Sequence, residues 1–197
     1  MKKVLLFAAV MLASLANAKT NVYDFKTFVA NENDEVIVTK VINTSKDEAF
    51  INKKIVSLLE GEDGTLNQLS NENGVTKYEG VFQTQSIYNP FAGATKRRLS
   101  FNLEVVVANN QATLVFTNLF VNEIYVGYGL SEKRYNVSEK LVEYNEQRTI
   151  YDSNDKKAYS KEEKKNAANV VDQISNEIGG SDEELGLRLS KIEEAIK

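Results

Sequence analysis

RLSFNLEVVVANNQATLVFTNLFV, residues 98–121, is the stretch that decides the fold. Its first half alternates apolar and polar residues, and a period of two over this length is typical of a strand with one buried face. Asn109-Asn110 follows, and both residues tolerate the positive φ that a type I′ turn requires. The turn and the alternation agree on one register for a β-hairpin. The predicted facing pairs are Val107–Ala112, Val105–Leu114, Leu103–Phe116, Phe101–Asn118 and Leu99–Phe120.

The first 18 residues are predicted to be a secretory signal peptide. Lys2-Lys3 is a basic start, Val4–Leu15 is apolar, and Ala16-Asn17-Ala18 has the small-x-small pattern of a cleavage site. A buried N-terminal helix is the alternative. We expect the mature chain to begin at Lys19 and to be exported to the periplasm or to the outside of the cell. No later stretch approaches the roughly 18 apolar residues of a membrane span.

Composition narrows the class of protein further. The 197 residues include no Cys and no His. Without Lys2 and Lys3, the 24 basic residues fall to 22 against 28 acidic ones, so the mature net charge is near −6. Because non-specific nucleic-acid binding depends on neutralising phosphates, we expect no nucleic-acid partner. A mature chain of about 180 residues is long enough to bury a core without disulfides.

The order of elements predicts an α+β fold, with a helix packed on a curved antiparallel sheet over residues 19–130. A helix is expected to begin at a capping box of Ser45 with Glu48 and to end at Gly61. Asn73-Gly74 is a strong hairpin turn. The other predicted elements are a strand over Glu35–Ile42, strands over Thr65–Ser70 and Tyr78–Gln85, a long loop over Ser86–Arg98, and a bulge or exit loop over Ile124–Gly129.

Residues 131–197 are predicted to form a helical C-terminal extension. A weak helical stripe begins at Lys133, and two capping boxes follow, Ser160 with Glu163 and Ser181 with Glu184. Gly179-Gly180 is expected to separate two helices. The last helix carries a narrow apolar stripe. This stripe packs either within an αα-hairpin or on a second chain, so self-association through these helices is possible, and the sheet domain is expected to fold without them.

The segments LNQLSNENGVTKYEGVF and RLSFNLEVVV, followed by a turn and ATLVFTNL, resemble the DUF4468 family of exported bacterial domains. The resemblance covers residues 35–123. It implies a TBP-like fold, in which a helix packs on a curved antiparallel sheet, and a location in the bacterial envelope. The family has no established activity, so the resemblance implies a fold and a location and no reaction.

Four aromatic residues are the candidate ligand-binding residues. Tyr88 and Phe91 flank the one Pro in the predicted loop, where exposed aromatics form either a recognition surface or a plug against the sheet. Tyr125 and Tyr128 either line a pocket at the end of the sheet or complete its core. The basic run Lys96–Arg98 binds an anion or, more simply, discourages edge pairing.

No catalytic residue, metal site or cofactor is predicted. The absence of His and Cys removes most nucleophile–base pairs and the commonest zinc ligands. The acidic cluster Glu60, Glu62 and Asp63 is expected to be a solvated helix end rather than a calcium site.

Two functions follow. The first is an exported, non-catalytic binding or interaction module of the bacterial envelope, with an unknown protein or small ligand as its partner. The alternative is a carboxylate-dependent hydrolase acting on an envelope polymer. Geometry distinguishes the two functions: the hydrolase needs two carboxylates about 5 to 10 Å apart in a cleft, whereas a binding module is expected to show an apolar, largely uncharged concavity.

Overall fold

A computed structural model describes residues 22–61, 63–89, 93–126, 130–155 and 158–197. Six strands form one antiparallel sheet in the order β1-β5-β4-β3-β2, and β6 pairs with the same edge of β5 as β1 does. The strands are β1 (Val38–Asn43), β2 (Thr65–Glu72), β3 (Val75–Asn89), β4 (Gly93–Ala108), β5 (Gln111–Val126) and β6 (Leu130–Asn136). The helices are α1 (Glu48–Glu60), α2 (Val137–Asp152) and α3 (Lys161–Ile196). The predicted α+β class is confirmed.

The hairpin of β4 and β5 follows the predicted register near its turn and departs from it farther away. Asn109 and Asn110 have φ values of 52° and 59°, as a type I′ turn requires. The three predicted pairs nearest the turn are present. Asn118, whose φ is 52°, then lies at a β-bulge, so the predicted pairs Phe101–Asn118 and Leu99–Phe120 are wrong. Beyond the bulge, the observed pairs are Ser100–Phe120 and Leu99–Val121.

The bulge keeps one face of the sheet apolar. Without it, Asn118 would face the core, whereas with it Leu119 and Val121 are buried and Asn118 is exposed. We call this apolar side the covered face, because α1 and α3 pack on it, and the opposite side the uncovered face. Among the alternating β4 residues of the predicted pairs, Val107 is half-buried, whereas Leu99, Phe101, Leu103 and Val105 are buried. The buried hairpin residues are Leu99, Phe101, Leu103, Val105, Ala112, Leu114, Phe116, Leu119 and Val121.

The predicted long loop over Ser86–Arg98 is wrong. β3 and β4 remain paired out to Asn89 and Gly93, and β5 pairs with this end of β4 as well. The β-prone residues of this stretch therefore extend the sheet instead of leaving it. The Asn73-Gly74 turn between β2 and β3 is confirmed, with φ values of 56° and 74°.

The predicted helix at Lys133 begins later, because residues 130–136 form β6. The predicted exit at Ile124 is likewise wrong, since β5 continues to Val126 and pairs with β6. α2 begins at Val137 after an Asn136 cap, whose side chain accepts from the Ser138 and Glu139 amides. The sheet therefore extends past residue 130.

The N-terminal cap of α1 lies later in the chain than predicted. Asp47, not Ser45, is the N-cap, and its side chain accepts a 2.7 Å hydrogen bond from the Phe50 amide. Gly61 ends the helix with φ 52°, as predicted. The carbonyls of Leu58 and Leu59 at this end accept 2.8 and 2.9 Å bonds from Arg188, so α3 satisfies the last turn of α1.

α3 is one 36-residue helix, so the predicted break at Gly179-Gly180 is wrong. The predicted capping box of Ser160 with Glu163 is present, whereas Ser181 lies inside the helix and caps nothing. Because the chain does not turn back at these glycines, the predicted αα-hairpin does not form. The two predicted apolar stripes are one continuous buried stripe: Ala167, Val171, Ile174, Ile178, Leu185, Leu189, Ile192 and Ile196.

The sheet and the three helices share one core. The stripe of α3 joins the covered face of the sheet and the buried side of α1, including Ile51 and Ile55, in one apolar cluster. Leu185, Ile192 and Ile196 are fully buried there. Because removal of residues 130–197 would expose this apolar surface, the structure favours co-folding of the sheet with α3. Self-association through the C-terminal helices stays a prediction.

Candidate functional site

Of the four predicted aromatic site residues, Tyr125 alone has a described side chain. Phe91 and Tyr128 lie outside the described residues, as does the side chain of Tyr88, whose backbone pairs with Ala94 in the sheet. Tyr125 is half-buried on β5, on the same face as Val121. Which role these four residues have stays a prediction.

The basic run Lys96–Arg98 lies in the centre of the sheet. The prediction that it protects a strand edge is wrong, because β4 runs between β3 and β5. Successive side chains of a strand point to opposite faces. Arg97 therefore lies on the covered face with Leu99, and Arg98 lies on the uncovered face with Ser100.

Arg97 ties α3 to the sheet. Its Nε and Nη2 lie 2.8 and 2.7 Å from Glu123 Oε2, and its Nη1 donates a 2.8 Å bond to Gln85 Oε1. The same nitrogen donates to the carbonyl of Asn176 on α3. The Arg97 and Glu123 side chains are only 12% and 18% exposed. Removing either partner would leave a largely desolvated charge without its counter-ion.

A second ion pair lies beside the first. Lys140 Nζ is 3.2 Å from Glu177 Oε2 and 3.1 Å from Glu143 Oε2, which links α2 to α3. Burial raises the pKa of Tyr135, and the charges of Glu123 and Glu177 raise it further, so both carboxylates lie near this phenol. A two-carboxylate hydrolase keeps one carboxyl protonated as its general acid. Here each carboxylate faces a cation, which is the arrangement of a structural ion pair.

The buried carboxylate of Asp182 holds an N-terminal strap, Tyr23–Phe28, across α3. Asp182 is 1% exposed and accepts bonds of 3.1, 2.8 and 2.5 Å from the amides of Lys26, Thr27 and Phe28. The Tyr23 hydroxyl donates a fourth bond of 3.2 Å. Burial first, and Asp182 second, raise the pKa of Tyr23 to about 12. All four hydrogen bonds that the Asp182 carboxylate accepts therefore come from the strap.

The glycines of α3 make room for this strap. A Cβ on Gly179 would lie 3.2 Å from the Tyr23 ring, and one on Gly186 would lie 2.7 Å from Thr27 Oγ1. These glycines are thus required by a close approach of two segments and not by a turn. A sequence read locally gives no signal for this contact, because its two sides lie about 155 residues apart.

A small polar cavity of about 240 Å³ lies where β1 and β6 meet beside the bulge of β5. Ser138 Oγ accepts a 2.9 Å bond from the Val36 amide there, and Asn136 caps α2. Two polar side chains of this cavity, Ser138 and Asn136, therefore already make hydrogen bonds within the fold.

The uncovered face carries a shallow groove of about 420 Å³ that crosses five strands. Register shifts in the β2–β3, β3–β4 and β4–β5 pairings accompany this arrangement, and bulges of this kind increase the twist and curvature of a sheet. The groove is lined mainly by polar side chains and is open to solvent. Its lining residues are Thr65, Asn67, Glu79, Gly80, Val81, Ser100, Asn122, Glu132 and Arg134.

Hydrogen bonds and stacking order the centre of this groove. Asn122 Nδ2 donates a 3.1 Å bond to Ser100 Oγ, which in turn donates to the Phe120 carbonyl at 3.3 Å. The Arg134 guanidinium carbon lies 3.9 Å from the centroid of the Phe120 ring. Sequence analysis missed Arg134, because β6 was interpreted as helix and its pairing with Asn122 was not foreseen.

Within the described ranges, the acidic cluster forms no metal site. The helices there include no membrane span. There, no group of three or more acidic, His or Cys side chains is placed to hold a metal ion. Glu62 of the acidic cluster lies outside those ranges, and Glu60 accepts a 3.3 Å bond from the Leu66 amide. Within the described chain, no helix combines the length and the apolarity that crossing a membrane requires.

Comparison with known proteins gives a likeness of fold. No family model matches the chain, and no curated protein matches it either. A TBP-like protein from Parabacteroides distasonis ATCC 8503 is 11% identical, with a TM-score of 0.40, over 87% of this chain and 100% of that one. A DUF4468 family protein from Bacteroides ovatus ATCC 8483 is 10% identical, with a TM-score of 0.43, over 88% and 96%.

Proposed function

We propose that this protein is an exported, non-catalytic binding module of the bacterial envelope and that the uncovered face of its sheet is the binding surface. The observation that carries the proposal is a pair of guanidinium groups, Arg98 and Arg134, which have no ion-pair partner among the described residues. Arg134 lines an ordered polar groove that is open to solvent, and Arg98 lies beside it on the same face, paired with the groove residue Asn122. Ligand sites are usually lined mainly by apolar side chains with a few oriented polar groups, so this polar groove differs from the apolar concavity expected of a binding module and would hold a partner through its polar groups.

The contrast with the covered face supports this proposal. There, Arg97 and Lys140 each face a carboxylate, and Asp182 accepts four hydrogen bonds. Charged groups that serve the fold are thus paired. Arg98 and Arg134 have no carboxylate partner among the described residues, and Arg134 instead is exposed and stacks on Phe120, so N–H groups of both are available to an external partner.

The hydrolase is the weaker proposal. Glu123 and Glu177 are the two carboxylates that approach Tyr135, and each already binds a cation. Neither residue lines the open groove of the uncovered face.

Export rests on the N-terminal signal: the Lys2-Lys3 start, the apolar run and the Ala16-Asn17-Ala18 site. Sequencing the N-terminus of the protein recovered from the periplasm or the medium tests it. We expect Lys19 as the first residue, whereas Met1 in the mature fraction would contradict export by this route.

Site-specific photo-crosslinking in cells tests the binding surface. A benzophenone amino acid in place of Asn102 lies on the uncovered face, and one in place of Lys53 lies on α1 as the matched control. We expect a discrete cross-linked product from position 102 and none from position 53. No product from position 102, or the same product from both, would contradict the proposal.

A further inference from the structure

We propose that the uncovered face binds an acidic polypeptide segment, with Arg98 and Arg134 as its carboxylate receptors. This inference rests on the proposed binding function and names the chemistry of the partner. It is carried by the register of three strands, by the lack of an ion-pair partner for the two guanidinium groups among the described residues and by the composition of the groove that Arg134 lines and Arg98 adjoins.

The two arginines lie on one row of the sheet. Arg98 of β4 pairs with Asn122 of β5, and Asn122 pairs with Arg134 of β6, so all three side chains point to the same face. Two strand spacings separate the arginine Cα atoms by about 10 Å. In an extended peptide, carboxylates that share one face are about 7 Å apart at two residues and about 13 Å apart at four, so the long arginine side chains have to lean together or apart to reach such a pair.

Arg98 lacks a hydrogen-bond acceptor. Its Nε is buried and has no partner, and the structure gives no ion pair to the rest of its guanidinium. A desolvated donor without an acceptor is costly, and Nε is too deeply buried for an external partner to reach. The two Nη groups of Arg98 are neither buried nor bonded to a described residue, so they are the donors that a carboxylate would bind. Arg97, the preceding residue, has three acceptors on the other face.

Arg134 is held in position while its donors stay available. The 3.9 Å stacking distance to Phe120 places the guanidinium over the ring, and stacking leaves the N–H groups at the edge of the guanidinium plane. Between the two arginines, Asn122 uses its amide nitrogen on Ser100. Its amide oxygen is then available to accept a bond from a peptide N–H.

The rest of the groove favours a polypeptide over other anions. Glu79 and Glu132 line it, so a uniformly anionic membrane or nucleic acid would meet like charges there. The face of Phe120 on which a sugar ring would stack is occupied by Arg134. Asn67 and Asn122 offer amide groups that pair with a peptide main chain.

Fluorescence anisotropy tests the inference with a fluorescein-labelled, serine- and glycine-rich peptide that carries two glutamates separated by one serine, so that its other positions are uncharged beside Glu79 and Glu132. The same peptide with glutamine in place of glutamate is the uncharged control. The double variant Arg98→Gln/Arg134→Gln is compared with Lys53→Gln/Lys161→Gln, which removes the same charge from exposed positions on α1 and α3. Urea unfolding of every variant confirms that each is folded.

We expect the acidic peptide to bind the native protein, and to bind the arginine variant about tenfold or more weakly, since two bidentate contacts are lost. The lysine variant should stay within about twofold of the native affinity, because the removed charges are remote and screened. The glutamine peptide should not bind measurably.

Equal affinity of the arginine variant, or equal binding of the glutamine peptide, would overturn the inference. Tighter, arginine-dependent binding of polygalacturonate, or of vesicles with equal parts phosphatidylcholine and phosphatidylglycerol, would replace the polypeptide by another anion. A cross-linked product from position 102 together with no peptide binding would refute this inference alone. Absence of any such product would refute the proposed function itself.

Discussion

Arg97 and Arg98 are consecutive residues of one strand with opposite surroundings. Arg97 lies on the covered face, where its guanidinium contacts Glu123, Gln85 and the carbonyl of Asn176. Arg98 lies on the uncovered face, and its Nε is buried without a partner. The same side-chain chemistry is thus satisfied within the fold on one side of the sheet and left unsatisfied on the other.

This difference separates stability from binding. The covered face combines apolar side chains with ion pairs whose two partners both belong to this chain. Changes there should therefore alter the free energy of unfolding. The uncovered face combines polar side chains, the exposed ion pair of Lys77 with Glu104 and two arginines without an ion-pair partner among the described residues, so changes at these arginines should alter binding and leave unfolding nearly unchanged. The following predictions test this division in order of expected effect.

Leu103→Ala should have the largest effect, because Leu103 is fully buried under the helices. Truncation of a core leucine costs about 2 to 5 kcal/mol of unfolding free energy. Asn102→Ala, one residue away on the uncovered face, should change it by less than about 0.5 kcal/mol. Urea denaturation measures both, and equal midpoints would contradict the assignment of the two faces.

Asp182→Ala should cause the next largest loss of unfolding free energy. It removes the acceptor of three amides of the strap and of the Tyr23 hydroxyl. Buried donors left without an acceptor cost about 1 to 3 kcal/mol each, and most of these are only partly buried, so we expect a loss of about 3 kcal/mol. Exposed Glu183→Ala is the control. Faster proteolysis before residue 30 in the Asp182 variant alone would identify release of the strap.

Arg97→Met should destabilise the protein by about 2 kcal/mol, because it leaves Glu123 largely desolvated without its cation. Arg98→Gln should leave the unfolding free energy within about 0.5 kcal/mol of the native value. Thermal unfolding followed by circular dichroism compares the two variants. A larger loss for Arg98→Gln would reverse the roles assigned to the two arginines.

Glu193→Gln should have the smallest effect and one that depends on pH. Hydrogen bonds first from Lys197 and then from Lys40 lower the pKa of Glu193 from 4.5 to about 2. A lowered pKa gives a stabilisation that is present above pH 4.5 and lost as the pH falls towards 2. The unfolding midpoints of the native protein and of the Glu193→Gln variant should therefore differ at neutral pH and converge near pH 2. A difference independent of pH would contradict this assignment.

Local patterns predicted the parts of the fold that local chemistry determines. The alternation before Asn109-Asn110 fixed the hairpin turn and the pairs nearest to it. The register beyond Asn118 was not predictable, because an asparagine with positive φ inside a strand depends on which residues the helices must cover. Asn118 did break the apolar face of the predicted register, and that break was the available signal of a bulge.

Long-range contacts explain the other errors. Gly179 resembles a helix end in sequence, and only the crossing of Tyr23 shows why a glycine lies within α3. β6 was missed because its strand pattern is short and highly charged, and β5 provides its pairing partner. Of the candidate groove, the sequence pointed to Arg98 as part of a basic run, whereas Arg134 required the pairing of β6 to be known.

Urea denaturation with and without a saturating acidic peptide tests the separation of the two faces most directly. At about 100 times Kd, a ligand that binds only the folded state adds about 2.7 kcal/mol to the unfolding free energy. We expect this increase for the native protein. Arg98→Gln/Arg134→Gln should unfold at the native midpoint without peptide and show no increase with it. A double variant that is itself destabilised, or one that the peptide stabilises as much as the native protein, would contradict the account.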